Sequence, residues 1–343
     1  MQNLVYIKIL ISLILSFSTL FILKKYKYFS KKYNFIDRPN KNIKIHKFPI
    51  SNIGGTACLI GFLPALILSY YFEDFFSNMF LLIIFFSSLA FYTLGRLDDI
   101  KNLPPNRKFL VFSLIFFFLF PLDPDLLVNT IRFRTIDFAY VLINKYYIAI
   151  FFTLFCLFIF YNSANFIDGA NGIYGTTALF WILFLIFKTG LSSILVFTLI
   201  FSLLFFLFFN LKNQVFIGNS GNSFITCLIS CLYIYSYNIT NNKIFCDDIF
   251  FAFLIPGLET IRLSFQRVFK GKSPFHGDNN HLHHLLIKKY KFLPIWILNL
   301  LIVISPSIFF EISKNFYKTV FFAFLFYSIV IYFLKFKKKP KFY

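Results

Sequence analysis

Long uninterrupted apolar segments constrain this chain more than any other feature. Eleven such runs follow one another, at residues 3–23, 53–72, 78–95, 109–122, 146–161, 173–188, 191–209, 222–237, 246–261, 293–312 and 317–334. A helix needs about 20 apolar residues to cross a bilayer, whereas a membrane β-strand needs only about 10 that alternate with polar ones. The sequence therefore predicts an all-α, polytopic transmembrane helical bundle of about eleven spans, the first of them retained.

The composition excludes the main alternatives. The 343 residues are 58% hydrophobic and only 14% charged, with a mean hydropathy of +0.73. A soluble domain carries about 25% charged residues, and a disordered chain needs low hydrophobicity. The five cysteines are expected to be small buried hydrophobes. We interpret residues 1–343 as one integral membrane domain, in which 286–343 adds two C-terminal spans and a basic tail.

Basic residues lie mainly on one side of the predicted spans. Of 34 lysines and arginines, 26 fall in segments 24–52, 96–108, 210–221, 262–292 and 335–341, and seven fall in the opposite connections. The positive-inside rule makes the basic side cytoplasmic, with the N-terminus outside and the C-terminus inside. Topology and anionic lipid then explain the net charge of +20, so no nucleic-acid partner is expected.

Polar and turn-forming clusters occupy the predicted cytoplasmic connections. They are Asp37–Asn40 with Lys44–Ile50 and the Gly54–Gly55 pair, Gly95–Lys101, Asn162–Gly172, Phe216–Ser223, and Gly271–His284. Each has an ordinary explanation as a turn or a helix cap. The Gly54–Gly55 pair also allows the backbone to approach a ligand or a helix closely. Their position on one side instead favours a shared cleft for a polar ligand at the cytoplasmic face.

The residue types in these clusters suit an anionic, phosphate-bearing ligand. Adjacent carboxylates at Asp98 and Asp99 are oxygen ligands that Mg²⁺ accepts, and one of them could serve as a base. Small residues at a helix start, as in Gly218–Ser223, expose backbone N–H groups to phosphate. Four of the five histidines fall within residues 276–284, which leaves both zinc and phosphate as candidate ligands. Phosphoryl transfer needs little more than positioning, a cation and charge stabilisation.

In this order, the clusters resemble the polyprenyl-phosphate N-acetylhexosamine-1-phosphate transferase superfamily (glycosyltransferase family 4) over residues 37–285. The stretches His46–Gly55 and Ser273–His284 are similar to the GlcNAc/FucNAc-type branch and not to the phospho-MurNAc-pentapeptide branch. The resemblance implies transfer of an amino-sugar 1-phosphate from a UDP-sugar to undecaprenyl phosphate, with release of UMP. Such a reaction initiates a cell-envelope glycan, for example O-antigen, at the bacterial cytoplasmic membrane.

The resemblance also implies roles for individual residues. Asp98, Asp99 and Asp168 are expected to be catalytic. Asp98, Asp99 and Asn219 are expected to hold Mg²⁺, with Mn²⁺ as the alternative cation. The expected substrate-binding residues are Lys44, His46, Asn162, Asn165, Asn171, Phe216, His281, His283 and His284, with Phe216 stacking on uracil.

Five positions depart from the family pattern: Ile43 and Asn279 stand where the family usually has Arg, and at three others the family has an acid. Asn219 stands where the family has a metal-binding Asp, Asn171 replaces a second acid, and Glu259 replaces an Asp. Fewer ligand charges predict weaker metal binding. Two alternatives therefore stay open: a degenerate homologue that binds lipid phosphate or nucleotide without turnover, and a transporter. The particular sugar, direct or covalent chemistry, and homodimerisation are also left open.

Overall fold

The computed structural model describes residues 2–39, 48–73, 75–136, 139–142, 145–240, 242–273, 280–290 and 293–336. Within these ranges the chain forms thirteen helices. They are α1 (Gln2–Lys24), α2 (Tyr26–Tyr33), α3 (Gly54–Phe72), α4 (Asn78–Lys101), α5 (Pro105–Leu119), α6 (Tyr146–Ile167), α7 (Ile173–Thr189), α8 (Ile194–Asn210), α9 (Gly218–Ile239), α10 (Cys246–Val268), α11 (Leu282–Lys289), α12 (Ile295–Ser313) and α13 (Phe316–Lys335).

Two short antiparallel strand pairs accompany the helices. Strand β1 (Ile36–Asp37) pairs with β2 (Ile50–Ser51), and β3 (Thr130–Arg132) pairs with β4 (Ala139–Val141). Two single 3₁₀ turns, Phe120–Leu122 and Pro124–Leu126, follow α5. These pieces connect helices and form no closed sheet within the described ranges, so the predicted all-α class is confirmed.

Every helix except the short α2 and α11 coincides with one of the eleven predicted apolar runs. Across the described ranges, seven helices are long and apolar enough to cross a membrane, and α7 and α8 are shorter apolar helices. The chain is therefore a multi-pass membrane protein. The predicted cysteine environment also holds, because all five thiols are free and buried or partly buried.

Some polar clusters lie on helices, which corrects their predicted place in connecting segments. Helix α4 continues to Lys101, α6 to Ile167 and α10 to Val268, six or seven residues beyond the apolar runs. Intrahelical hydrogen bonds do not depend on side-chain polarity, so a helix packed along its length extends past its apolar part. The extensions present Asp98 and Asp99 on α4, and Arg267 on α10, from rigid helical turns.

Helix α9 forms the centre of the bundle. Its residues from Ser220 to Cys231 are all buried, and it packs against α3, α4, α6 and α7. A Cβ on Gly55 would lie 2.2 Å from Gly221 Cα, and a Cβ on Gly95 would lie 2.2 Å from the carbonyl oxygen of Asn219. Glycine therefore permits α3 and α4 to contact the start of α9 directly, as the Gly54–Gly55 pair suggested.

We expect Gly55→Ala to destabilise the bundle, because the added methyl group would meet backbone atoms that cannot rotate away. Overpacking of this kind costs about 1–3 kcal/mol of unfolding free energy. Gly257→Ala is the matched control, since Gly257 lies within α10 with no atom within 4 Å of an added Cβ. Thermal unfolding in detergent should show a lower midpoint for Gly55→Ala only; equal midpoints would contradict the close approach.

Several charged residues at the end of the bundle where α1 begins are paired. Lys8, inside the first helix, contacts Glu73 at 3.0 Å, and the Glu73 carboxylate also accepts the Ile194 N–H at 2.8 Å. Asp248 contacts both Arg134, at 2.7 Å, and Lys188, at 2.8 Å. Buried charges are tolerated when opposite charges and hydrogen bonds compensate them.

Candidate active site

The described parts of the predicted polar clusters meet at the opposite end of the bundle. The C-terminal ends of α4, α6 and α10 lie there together with the start of α9, helix α11 and strand β1. Two contacts define the arrangement: Asp99 with the start of α9, and Gly169 with His283. Segments separated by more than 100 residues of sequence thereby contribute to one cleft.

Asp99 caps helix α9. Its carboxylate accepts the N–H of Asn219 at 2.9 Å and the N–H of Ser220 at 3.2 Å. An acid at a helix N-terminus satisfies free N–H groups and is stabilised by the helix dipole. Each carboxylate oxygen has a second lone pair, so Asp99 can still accept a bond from a ligand or a cation.

Asp98 faces another direction, although it is the neighbour of Asp99. Its carboxylate contacts Lys108 at 2.6 Å and accepts the Leu103 N–H at 2.9 Å. Consecutive residues of an α-helix point about 100° apart, so the two carboxylates have separate partners. The predicted metal-binding role of the pair stays a prediction, and the geometry favours Asp99 for ligand contact.

Asp168 carries the most perturbed carboxyl group of the cleft. It lies immediately after α6, partly buried, and no lysine or arginine within the described ranges pairs with it. Burial raises the pKa of Asp168 to about 7, opposed by the nearby Asn222 amide and reinforced by the negative charges of Asp99 and Asp37. A group in this state takes or releases a proton near neutral pH.

The histidines pack together at the start of α11. His281 and His283 are buried, and the ring centroids of His283 and His284 are 4.2 Å apart. Burial, together with His284 and His281, holds the pKa of His283 well below its usual value, so His283 is neutral at pH 7. A Cβ on Gly169 would lie 2.0 Å from His283 Nε2, which places this ring beside the residue that follows Asp168.

Arg267 adds a positive charge to this group. It is only 3% exposed, its guanidinium lies 5.1 Å from the centre of the Phe166 ring, and it contacts His281 Nε2 at 3.4 Å. From the sequence, Arg267 is one of the basic residues that indicate topology, and no motif marks it as a site residue. A buried guanidinium beside imidazoles is a strong binding partner for phosphate oxygens.

The asparagines of the third cluster separate into two groups. Asn162 donates to the Phe158 carbonyl oxygen within its own helix at 2.8 Å, and Asn165 is partly exposed on the next turn. Asn171 instead donates a hydrogen bond to the Asn213 side chain and accepts one from the Asn210 amide at 3.2 Å. Asn210 also accepts the Gly172 N–H at 2.6 Å, so it is a structural partner that the sequence analysis did not identify.

The remaining predicted residues are placed as follows. Phe216 is held by its backbone, which donates to the Ser51 carbonyl oxygen at 2.7 Å, and its side chain is partly exposed. Asn219 is partly exposed at the first turn of α9. Lys44 and His46 lie outside the described residues.

Two further residues belong to the cleft by proximity to Asp168. Asn222 lies one turn after Asn219 on α9, and its amide donates to the Ala164 carbonyl oxygen at 3.2 Å. Asp37 lies on β1, and its negative charge acts on Asp168. The three-residue spacing between Asn219 and Asn222 was the available signal, because residues three apart share a helix face.

The acidic groups suit a cation that a substrate helps to hold. Within the described ranges, no three His, Cys, Asp or Glu side chains converge closely enough to form a metal site by themselves. Mg²⁺ is usually bound by one or two carboxylates, several waters and substrate phosphates. Asp99, with the Asn219 amide at the same helix start, supplies such a partial ligand set, and Asp168 lies close by.

Comparison with known proteins supports the same family. Residues 80–250 match the sequence profile of glycosyl transferase family 4. Curated relatives carry the name undecaprenyl-phosphate alpha-N-acetylglucosaminyl 1-phosphate transferase. The Thermotoga maritima protein is 28% identical over 84% of this chain and 85% of its own length, and the Escherichia coli K12 protein is 26% identical over 40% of each. The alignment thus spans about two fifths of the length of the Escherichia coli relative.

Proposed function

Because the chain belongs to glycosyl transferase family 4, we propose that it transfers an N-acetylamino-sugar 1-phosphate from a UDP-sugar to undecaprenyl phosphate. In this reaction a phosphate oxygen of the lipid forms a bond to the sugar-bearing phosphorus, and the bond to UMP breaks. The products are UMP and a lipid diphospho-sugar that initiates a cell-envelope glycan. The relatives' names support this choice of acceptor and of transferred group.

One observation carries the proposal. Asp168, with its pKa of about 7, lies between a carboxylate-capped helix start and a buried group of histidines and arginine. The acidic side of this cleft suits a cation, and the His283–Arg267 side suits phosphate oxygens. A diphosphate and its cation need both halves in one place.

Individual residues then have distinct tasks. Asp99 would hold Mg²⁺, or Mn²⁺, together with Asn219 and the substrate phosphates, and this cation would neutralise charge that develops on the diphosphate. Arg267 would bind phosphate oxygens, and neutral His283 would donate or accept a hydrogen bond beside them. Asp168 would also take a proton from the attacking lipid phosphate.

The distribution of lysine and arginine supports an orientation in the membrane with the cleft on the cytoplasmic side. The cleft lies at the end of the bundle that carries the predicted basic connections, among them Lys101, Lys108 and Lys270. The positive-inside rule supports a cytoplasmic cleft in the bacterial inner membrane, where a soluble nucleotide sugar is available. Undecaprenyl phosphate would approach from the surrounding lipid.

We expect transfer to increase with pH as Asp168 ionises. With a pKa of about 7, the ionised fraction rises about tenfold between pH 6 and pH 8, and the rate should follow it. The same raised pKa affects stability. Between about pH 4 and pH 7 the folded protein keeps the proton on Asp168 whereas the unfolded chain has lost it, so the free energy of unfolding falls as pH rises through this range. Initial rates at fixed Mg²⁺ check this expectation; a flat profile would exclude Asp168 as the titrating group.

The decisive experiment is release of UMP by the purified protein. It requires UDP-GlcNAc and other UDP-amino sugars, undecaprenyl phosphate in mixed micelles, and Mg²⁺, with mass spectrometry of the lipid product. Formation of UMP and a lipid diphospho-sugar in equal amounts supports the proposal. Nucleotide binding without UMP would indicate a degenerate homologue, and substrate flux into vesicles without UMP would indicate a transporter.

A further inference from the structure

Glu259 lies directly against the start of the histidine helix. It is only 5% exposed, near the cleft end of α10. Its carboxylate accepts the N–H of Leu282, the first residue of α11, at 2.7 Å. Leu282 stands between His281 and His283 in the chain. The Glu259 carboxylate therefore holds the backbone from which both imidazoles project.

Two other side chains hold Glu259 in turn. Arg262 makes a two-point contact with the carboxylate, at 2.8 Å and 3.0 Å, and also donates to the Asn280 carbonyl oxygen at 2.8 Å. The Tyr327 hydroxyl, on α13, donates to Glu259 and accepts from Arg262 Nε at 3.0 Å. Bidentate contact of arginine with a carboxylate restrains both groups in distance and angle. Helix α13 thus contributes to the cleft although it lies far beyond the last polar cluster in sequence.

Among the described residues, packing, and not a hydrogen bond to Nε2, holds the His283 ring. A cavity of about 20 Å³ lies beside it, lined by Phe166, Glu259, Asn299 and neighbouring apolar residues. Within the described ranges, His283 Nε2 and Asn299 Nδ2 are buried without a hydrogen-bond partner. A space of this size holds about one water molecule. Elsewhere the ring packs against Gly169, and against His281 and His284 of its own segment. The ring position therefore depends on where the backbone of α11 is held.

We propose that Glu259, Arg262 and Tyr327 form a positioning network that sets α11, so that His283 stands beside Asp168. The inference rests on the proposed function, in which His283 and Asp168 act on one diphosphate. None of the three residues needs to touch substrate. They act through the Leu282 N–H, and a displacement of about 1 Å at a reacting group can reduce a rate by about 100-fold.

The first test combines kinetics with histidine labelling in the full-length protein. Glu259→Gln should lower kcat by about 10- to 100-fold, with a much smaller change in KM for undecaprenyl phosphate. Glu259→Asp keeps the charge and should recover much of the loss. Diethyl pyrocarbonate modifies accessible imidazoles, and mass spectrometry measures it at each histidine. Labelling of His283 should be several-fold faster in Glu259→Gln than in the wild-type protein.

Matched variants separate positioning from general destabilisation. Glu311→Gln is the control for Glu259→Gln. Glu311 contacts a basic residue three positions later, Lys314, as Glu259 contacts Arg262, but it lies at the end of the bundle away from the cleft. Tyr327→Phe should show a smaller form of the Glu259→Gln effect, and Tyr332→Phe, exposed on the same helix, should show none. Both controls should keep kcat and the His283 labelling rate, and thermal unfolding verifies that each variant is folded.

The outcomes are distinct for the network and for the reaction. If His283 is labelled at the same rate in folded Glu259→Gln as in the wild-type protein, the positioning role is overturned, whatever the kcat of that variant. Faster labelling with unchanged kcat would overturn the link between α11 and transfer. If the unmodified protein released no UMP with any donor, the proposed function would fail, and the labelling comparison would still decide whether Glu259 holds α11.

Discussion

Replacing Asp168 by Asn should reduce transfer by about 100- to 1,000-fold, the largest effect that we expect from a single side chain. A positioned base contributes about this factor to proton transfer, and Asn has similar size but cannot take the proton. Asn also removes one of the two carboxylates that lie beside the start of α9. The pH dependence expected from a pKa of about 7 should be absent from the residual rate.

Asp125→Asn is the control for this substitution. Asp125 lies in a turn at the other end of the bundle, where its carbonyl oxygen accepts the amide of Asn238 at 2.8 Å. The change in charge and size is the same, so any effect of net charge on expression or detergent behaviour should be shared. Initial UMP release at saturating donor measures both variants. Residual activity above one tenth for Asp168→Asn would show that another group accepts the proton.

Replacing Asn219 by Asp should lower the Mg²⁺ concentration needed for half-maximal rate by about tenfold. Cation affinity increases with the number of ligand charges, and a tenfold change corresponds to about 1.4 kcal/mol. The added carboxylate would lie at the helix start that Asp99 already caps. Without a divalent cation, the extra negative charge should repel Asp99 and Asp168 and lower the unfolding midpoint.

Thermal unfolding with and without Mg²⁺ gives a readout that does not require turnover. The midpoint of Asn219→Asp should rise more on addition of Mg²⁺ than that of the unmodified protein. Asn78→Asp is the control, because Asn78 is exposed at the start of α4, at the other end of the bundle. An identical Mg²⁺ response in all three proteins would show that position 219 does not contact the cation.

The two glycine-mediated contacts illustrate what sequence reasoning could anticipate. The Gly54–Gly55 pair indicated a close approach of backbone to a helix or to a ligand, and the structure shows a helix, α9. Glycine is chosen for its missing Cβ, so the residue type predicts proximity but not the partner. The partner depends on which helices pack together, and residues 55 and 221 are too distant in sequence for a local pattern to connect them.

The acidic pair shows the opposite case. Two adjacent aspartates suggested metal ligands, and that role stays a prediction; their separate partners were not anticipated, since Asp98 contacts Lys108 and Asp99 caps α9. The difference arises because α4 continues through Lys101, and helical geometry turns consecutive side chains apart. Apolar periodicity ends before this turn, so it provided no reason to extend the helix.

The amino-acid sequence by itself determined the helical membrane class, the number and approximate bounds of the long helices, and the basic side. These properties follow from local hydropathy and charge, because a bilayer requires continuous apolar helices and retains lysine and arginine on one face. The family resemblance already grouped Asp99, Asp168 and His283 in one site. Only the tertiary structure decided the individual contacts: Asp99 at the start of α9, Gly169 against His283, Arg267 beside His281, and Glu259 at the first residue of α11. Such pairings depend on the packing of helices far apart in the chain, which no local pattern encodes.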